Sequence, residues 1–385
     1  MLRRLGLSAG LALLLIGTSV GSAAAWEPEA GAHFNNPWGR TAAKERLVKI
    51  FIRAVNHSPR GSTVRVATYS NDRKDIADSL IAAHKRGVRV QILLNDNWTS
   101  YQTKRIQKRL GSDTRKASFL KICRSSCRGK KGKGNLHSKF YLFTRTGTAR
   151  FVTMMGSANL TGYGVKNQWN DMYTVRNHRG MYEKYSRIFN EMKQDRAFAH
   201  PYRTYSLSGA YDVNFYPRYR TTRSNDPIMR RLNKIRCRGA SGPTGIGNKT
   251  MIRISMYGWN GDRGRYLANK VASLSRYGCN VRVIHSDGGG YVVRHLRANG
   301  VPVRTASYDR NNNGTKDRYT HQKYMILSGR YKNRAAWHVW TGSQNWSDRA
   351  LNGDEVTMHI PRRGAFYDYR KNFDLIWNNY SHRTG

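Results

Sequence analysis

Two short patterns in this chain carry residue types suited to phosphoryl chemistry. His137-Ser138-Lys139 is followed by Gly156-Ser157-Ala158-Asn159, and His321-Gln322-Lys323 by Gly342-Ser343-Gln344-Asn345. Displacement at a phosphodiester needs a nucleophile, an acid for the leaving oxygen, and positive donors around the non-bridging oxygens. A neutral imidazole can attack phosphorus and form a covalent intermediate, while a second, protonated imidazole releases the alcohol and then activates water. One histidine cannot do both at once, so the doubling has a chemical use. Lys139 and Lys323 are expected to hold phosphoryl oxygens as compact charges. Asn159 and Asn345 add amide donors, and Ser157 and Ser343 are expected to bind substrate through their hydroxyls. Asp171 and Glu355 follow the two Gly-Ser-x-Asn motifs and are expected to accept the second ring N–H of the two histidines, fixing their tautomers.

The elements that must position these groups also occur twice, in one order. Val64–Tyr69 reads as a strand, Ile76–Lys85 as a helix ended by Gly87, and Val88–Leu94 as a second strand; Met251–Tyr257, Tyr266–Arg276 and Val281–Ile284 repeat this. Each His-x-Lys then begins an alternating, strand-like run, and an aromatic helix closes each half, Tyr182–Met192 and Phe366–Trp377. The chain is therefore expected to be α/β, with two tandem α/β/α sandwich lobes built on mixed sheets and related by pseudo-twofold symmetry. The expected boundaries are a signal peptide over 1–25, a first lobe over 26–200, a linker over 201–225 and a second lobe over 226–385.

With both motif pairs in view, the chain resembles the phospholipase D superfamily, whose signature is His-x-Lys-x4-Asp with a following Gly-Ser-x-Asn, usually twice. The resemblance covers both halves at His137, Lys139, Ser157, Asn159, His321, Lys323, Ser343 and Asn345. It implies two-step catalysis through a phosphohistidine without a metal or other cofactor, with His137 as nucleophile and His321 as acid. The chain departs from the signature at its Asp, where Thr144 and Ser328 stand.

Composition narrows the setting. Arg3 and Arg4, an apolar run from Leu5 to Val20 and Ala23-Ala24-Ala25 before Trp26 read as a secretory signal, so the protein is expected to be secreted and extracellular. Four cysteines outside the cell suggest two disulfides; three connectivities exist, and the short spacing favours Cys123–Cys127 with Cys237–Cys279. The net charge of +45 falls by the two leader arginines to +43, which calls for a polyanionic partner. The expected partner is an anionic phosphodiester substrate, phospholipid or nucleic acid, met by a two-lobed monomer that can also touch a membrane surface.

Three weaker signals remain. Asp309, Asn311, Asn313 and Asp317 match the front of a calcium loop, but Thr320 stands where a bidentate Glu belongs, so a plain polar turn is the rival reading. The basic run Arg124–Lys133 reads as a mobile, anion-gathering flap or a solvated loop. Aromatics and arginines interleaved over Tyr202–Arg223 suit interdomain packing, base stacking or a lipid headgroup layer. The leading expectation is a secreted phospholipase D-type hydrolase of phospholipid headgroup esters. A sequence-nonspecific nuclease is the alternative, and a non-catalytic polyanion binder the third.

Overall fold

The computed structural model describes residues 26–383, so the leader expected over 1–25 lies outside the described residues. In the first half the strands are β1 (Gly31–Phe34), β2 (Thr63–Thr68), β3 (Arg89–Asn95), β4 (Phe119–Cys123), β5 (Phe140–Thr146), β6 (Ala149–Gly156), β7 (Gln168–Trp169) and β8 (Asp171–Val175). Its helices are α1 (Thr41–Asn56), α2 (Lys74–Lys85), α3 (Tyr101–Leu110), α4 (Gly162–Asn167) and α5 (Arg179–Met192). The second half has β9 (Arg203–Leu207), β10 (Tyr211–Phe215), β11 (Ile235–Arg236), β12 (Met251–Trp259), β13 (Asn280–Gly288), β14 (Val303–Thr305), β15 (Tyr319–Thr320), β16 (Lys323–Tyr331), β17 (Arg334–Gly342) and β18 (Val356–Ile360). Its helices are α6 (Pro227–Leu232), α7 (Gly261–Arg276), α8 (Gly290–Ala298) and α9 (Arg363–Asn379).

The first sheet runs β1-β8-β6-β5-β2-β3-β4 and the second β9-β10-β18-β17-β16-β12-β13-β14. In each, three strands are parallel (β2, β3, β4 and β12, β13, β14) and the rest antiparallel, giving two mixed sheets of the same topology. The pairing of β10 with β18 repeats that of β1 with β8. Residues read from sequence as a linker, 201–225, thus supply two strands to the second sheet. The counterpart of β10 is the short β1 near the start of the first lobe, with Phe34 opposite Asp171 and Phe215 opposite Val356, whereas β9 extends the second sheet by one strand.

Why these segments form these elements follows from burial. In α1 the buried residues Leu47, Val48, Phe51, Ala54 and Val55 fall on one helical stripe. The run Phe140–Phe143 in β5 is buried on both faces, as expected of a strand covered by helices on either side. One core packs α1 and α2 on the outer face of the first sheet, and another packs α6 and α7 on the outer face of the second. A third, shared core holds α5 and α9 with residues from both sheets, including Phe140, Met155, Tyr324 and Val356. Both aromatic helices are thus buried where the lobes meet, and they fix the lobes against each other.

Candidate active site

The catalytic motifs lie where each lobe's chain is stitched to the other. β15 pairs in parallel with β7, joining Thr320 to Trp169, and Leu136 forms a parallel bridge with Asp354. Consequently the His137 N–H donates to the Asp354 carbonyl (3.0 Å) and the His321 N–H to the Trp169 carbonyl (2.9 Å). Each histidine is placed by the opposite lobe. Both sit just before their strands, β5 and β16, rather than within them.

The glycine of each Gly-Ser-x-Asn has a steric reason. A Cβ at Gly156 would lie 2.2 Å from the Asp171 carbonyl oxygen, and one at Gly342 would lie 2.1 Å from that of Val356. Only glycine lets the strand ends approach this closely. That approach lets Ser157 bond to residue 171 through N–H to carbonyl (3.1 Å) and through its hydroxyl, which accepts from the Asp171 N–H (3.0 Å). Ser343 does the same with Val356, at 2.9 and 3.0 Å.

These contacts align the halves one residue away from the acid-to-acid match suggested by sequence. Asp171 corresponds to Val356, and Asn170, not Asp171, corresponds to Glu355. Glu355 Oε1 accepts from His137 Nδ1 at 2.8 Å, while Asn170 Oδ1 accepts from His321 Nδ1 at 3.0 Å. Asp171 instead accepts from Tyr369 (2.8 Å) and Thr341, fully buried, and burial raises its carboxyl above the ordinary value. The expectation that Asp171 would orient an imidazole is therefore corrected. The sequence favoured matching two acids, whereas the geometry matches an acid with an amide.

Ser157 and Ser343 are also corrected. Both are fully buried behind the imidazoles, where Ser157 donates to Asn170 Oδ1 (3.2 Å) and Ser343 to the Glu355 carboxylate. They orient the groups that orient the histidines and do not line the cavity.

The cavity itself, about 320 Å³, is lined by His137, His321, Asn159, Asn345 and Glu355 among the anticipated residues. The imidazole centroids stand 6.5 Å apart. Tyr69 and Tyr257 flank the two rings at 5.8 and 5.0 Å, and Asn135, Ser347 and Arg349 complete the wall. The two tyrosines occupy the same position of the repeat, at the end of the first strand of each parallel set, a signal the sequence contained and the motif reading passed over. Asn345 is held by the Gly258 N–H donating to its Oδ1 (3.1 Å). Lys139 and Lys323 are buried, and each donates to the carbonyl of its own histidine.

Charge crowding tunes these groups. Burial is the largest cause and lowers His137 to about 4, opposed by Glu355 and reinforced by Lys139 and Lys323. His321 lies well below the ordinary value, again through burial first and then Lys323, Lys139 and His137. Lys139 is lowered to about 7 and Lys323 is lowered strongly, both by burial. With Glu355 an acceptor only, Nδ1 of His137 carries its hydrogen, and the Nε2 lone pair is free.

Thr144 accepts from the Thr63 N–H (2.8 Å) and Ser328 from the Gly245 N–H (3.0 Å), so both replacements of the signature Asp serve backbone groups and make no hydrogen bond to an imidazole. Cys123–Cys127 and Cys237–Cys279 are the disulfides. Asp309 accepts from the Asn313 and Gly314 N–H groups, and Asp317 from the Arg310 N–H. Asn311 and Asn313 likewise accept from the backbone N–H groups of Asn313 and Thr315, so the 309–317 loop is a self-bonded polar turn. The basic run is fastened at two points: Arg128 is buried against Asp354 and Glu191, and Lys131 bonds to Asp195 (2.5 Å). No helix among the described residues is long and apolar enough to cross a membrane.

Two lobes that present paired imidazoles to one cavity define a phosphodiesterase-like class of enzyme. The family described as cardiolipin synthase, PLD-like domain, matches residues 51–193 and 246–377, and the chain belongs to it and thereby to the phospholipase D superfamily. Among solved structures, it is similar to the phosphatidylserine synthase of Haemophilus influenzae Rd KW20 (12% identity, 91% of this chain, 87% of that one, TM-score 0.61). It is also similar to the polyphosphate kinase of Porphyromonas gingivalis (13% identity, 92% of this chain, TM-score 0.58), of whose length the match covers 52%. At such identities the likeness is one of fold. No curated protein matches the chain.

Proposed function

We propose that this protein is an exported hydrolase that cleaves nucleic-acid phosphodiesters through a phosphohistidine on His137. The carrying observation is the asymmetry of the two imidazole partners, Glu355 for His137 and Asn170 for His321. A carboxylate stabilises the positive charge that a phosphorylated imidazole acquires, whereas a neutral amide fixes the ring and leaves it a better proton donor. Nε2 of His137 attacks phosphorus as the bond to the leaving oxygen breaks, and His321 gives that oxygen its proton. Water then attacks the phosphohistidine, His321 takes the water's proton, and the phosphorus–nitrogen bond breaks to restore His137. Binding of the phosphate anion favours the protonated state of His321 that the first step needs. Asn159 and Asn345, on the cavity wall, meet the charge on the non-bridging oxygens, and the two lysines, buried beside the histidines, add positive charge behind them when protonated.

The choice of nucleic acid rests on the cavity wall, where Ala350 is the lone aliphatic side chain. The wall is otherwise polar and aromatic, and a +43 chain suits a phosphate backbone. Phospholipid headgroup cleavage is the second reading, favoured by the family's description and by Trp98 and Tyr101, 45% and 76% exposed, beyond Asn97, which donates to Tyr69. Export is supported by the leader pattern and the two disulfides. The test offers purified protein single-stranded DNA, RNA and anionic phospholipid vesicles, each with EDTA. Strand cleavage without lipid turnover is expected; lipid turnover alone would replace the nucleic-acid reading, and binding without turnover of any substrate would leave a passive polyanion binder.

A further inference from the structure

We propose that a cationic, aromatic-lined track leads from the catalytic cavity along the seam of the two lobes onto the second and holds a single nucleic-acid strand beyond the scissile phosphate. This inference rests on the nucleic-acid reading above and adds where the rest of the strand lies.

The track begins at the cavity wall. Asn135 and Arg349 line the catalytic cavity, and their near neighbours Lys133 and Asn352 line the next groove, about 760 Å³. The two wall segments are in contact, since a Cβ on the intervening Gly134 would lie 2.2 Å from the Asn352 carbonyl oxygen. Lys130, Arg218 and Arg220 face this groove beside Phe198, Tyr202 and Tyr219. A third depression, about 300 Å³, shares Tyr202 and Arg218 with it and adds Arg230, Arg231, Lys234 and Lys332. Its one acid, Asp212, is engaged by His359 (3.0 Å) and Ser206 (2.7 Å).

Charge pairing separates this surface from the structural cations beside it. Arg128 and Lys131, in the same basic loop as Lys130, are neutralised by Asp354, Glu191 and Asp195. Among the described residues, none of Lys130, Lys133, Arg218, Arg220, Arg230 and Lys332 forms a salt bridge. Arg218 also has a buried Nε without a hydrogen-bond partner, and its guanidinium lies over the Tyr202 ring at 5.0 Å. Lys130 likewise lies over Tyr219 at 5.5 Å. Like-charge crowding fits this picture, since Lys332 and Arg231 add to the burial that lowers Lys234 below the ordinary lysine value. Unpaired cations alternating with aromatic faces suit a strand whose bases are free to stack. A concave groove admits a chain, whereas a planar vesicle surface cannot enter it.

The test uses the full protein with Arg218→Gln, Arg220→Gln, Arg230→Gln and Lys332→Gln combined, and separately Lys332→Gln alone as an exposed, fold-neutral change. Turnover of bis(p-nitrophenyl) phosphate, which fills only the catalytic cavity, is compared with binding and cleavage of long oligothymidylate. The combined variant is expected to keep small-substrate turnover and to bind oligothymidylate at least ~10-fold more weakly, with the salt dependence of binding flattened by about 0.7 per lost phosphate contact. Lys332→Gln should show a smaller loss of the same kind. Unchanged oligothymidylate binding, or loss of anionic-vesicle binding in its place, would overturn the track. If the unaltered protein cleaves the small diester but neither cleaves nor binds oligothymidylate, the nucleic-acid reading itself fails.

Discussion

Glu355 of the second lobe accepts a hydrogen bond from Nδ1 of His137 in the first at 2.8 Å, and no carboxylate occupies the equivalent place beside His321. Glu355→Gln keeps the shape and removes the charge. It should lower kcat by ~100- to 1,000-fold with little change in substrate binding, as for other carboxylates that orient an imidazole. Steady-state turnover of bis(p-nitrophenyl) phosphate measures it, and a loss below tenfold would leave Glu355 a structural partner only.

Asn170→Asp makes the two sites alike. A carboxylate beside His321 stabilises its imidazolium, so the descending limb of the pH–rate profile should move upward by ~1 pH unit while the maximal rate falls, because a weaker acid protonates the leaving group. A profile that does not move would show that His321 is not the acid.

Buried Lys139 ties activity to instability. Its folded value of about 7 lies below the ordinary 10.5, so between those values the unfolded chain binds the proton and the folded chain does not. Stability therefore rises with pH across that window, and below about 7 the fold carries the full cost of a buried cation. Lys139→Met should abolish turnover, raise stability near neutral pH by ~1–3 kcal/mol and flatten the rise toward alkaline pH. Urea unfolding at several pH values tests this; a destabilised variant would contradict it.

Arg128 joins the lobes from beneath the site. Its side chain is buried and bonds to Glu191 (2.9 Å), Asp354 (3.3 Å) and the Pro201 carbonyl (3.0 Å), and the Asp354 carbonyl in turn holds the His137 and Ser138 N–H groups. Arg128→Ala leaves the buried Asp354 without its counter-charge, held only by the Ser126 hydroxyl and the Cys127 N–H, so a loss of ~3 kcal/mol is expected by urea unfolding. A loss under ~1 kcal/mol would show that the lobes are joined by other means.

The doubled motifs and the helix and strand periods made the two-lobed α/β fold legible, because repeated sequence and repeated burial pattern coincide. The strands β9 and β10 were missed although Tyr211-Asp212-Val213-Asn214-Phe215 alternates apolar with polar, because the Tyr-, Arg- and Ser-rich sequence around them read as a linker and their role comes from pairing with distant β18. The imidazole partners were hidden for a related reason. Matching acid to acid placed Asp171 opposite Glu355, and only the strand pairing of Gly156 with Met172 and Gly342 with Thr357 shows the one-residue shift. A period-two strand turns such a shift into the opposite face of the sheet.

The most direct test of the central claim is mass spectrometry of the site peptides, kept at alkaline pH where a phosphorus–nitrogen bond survives, after mixing with bis(p-nitrophenyl) phosphate and an alkaline denaturing quench. In the His321→Asn variant, which lacks the group that activates water, the phosphoryl adduct should accumulate on His137, and the His137→Asn variant should carry none. An adduct on His321 in the His137→Asn variant, or none in either, would contradict the assignment.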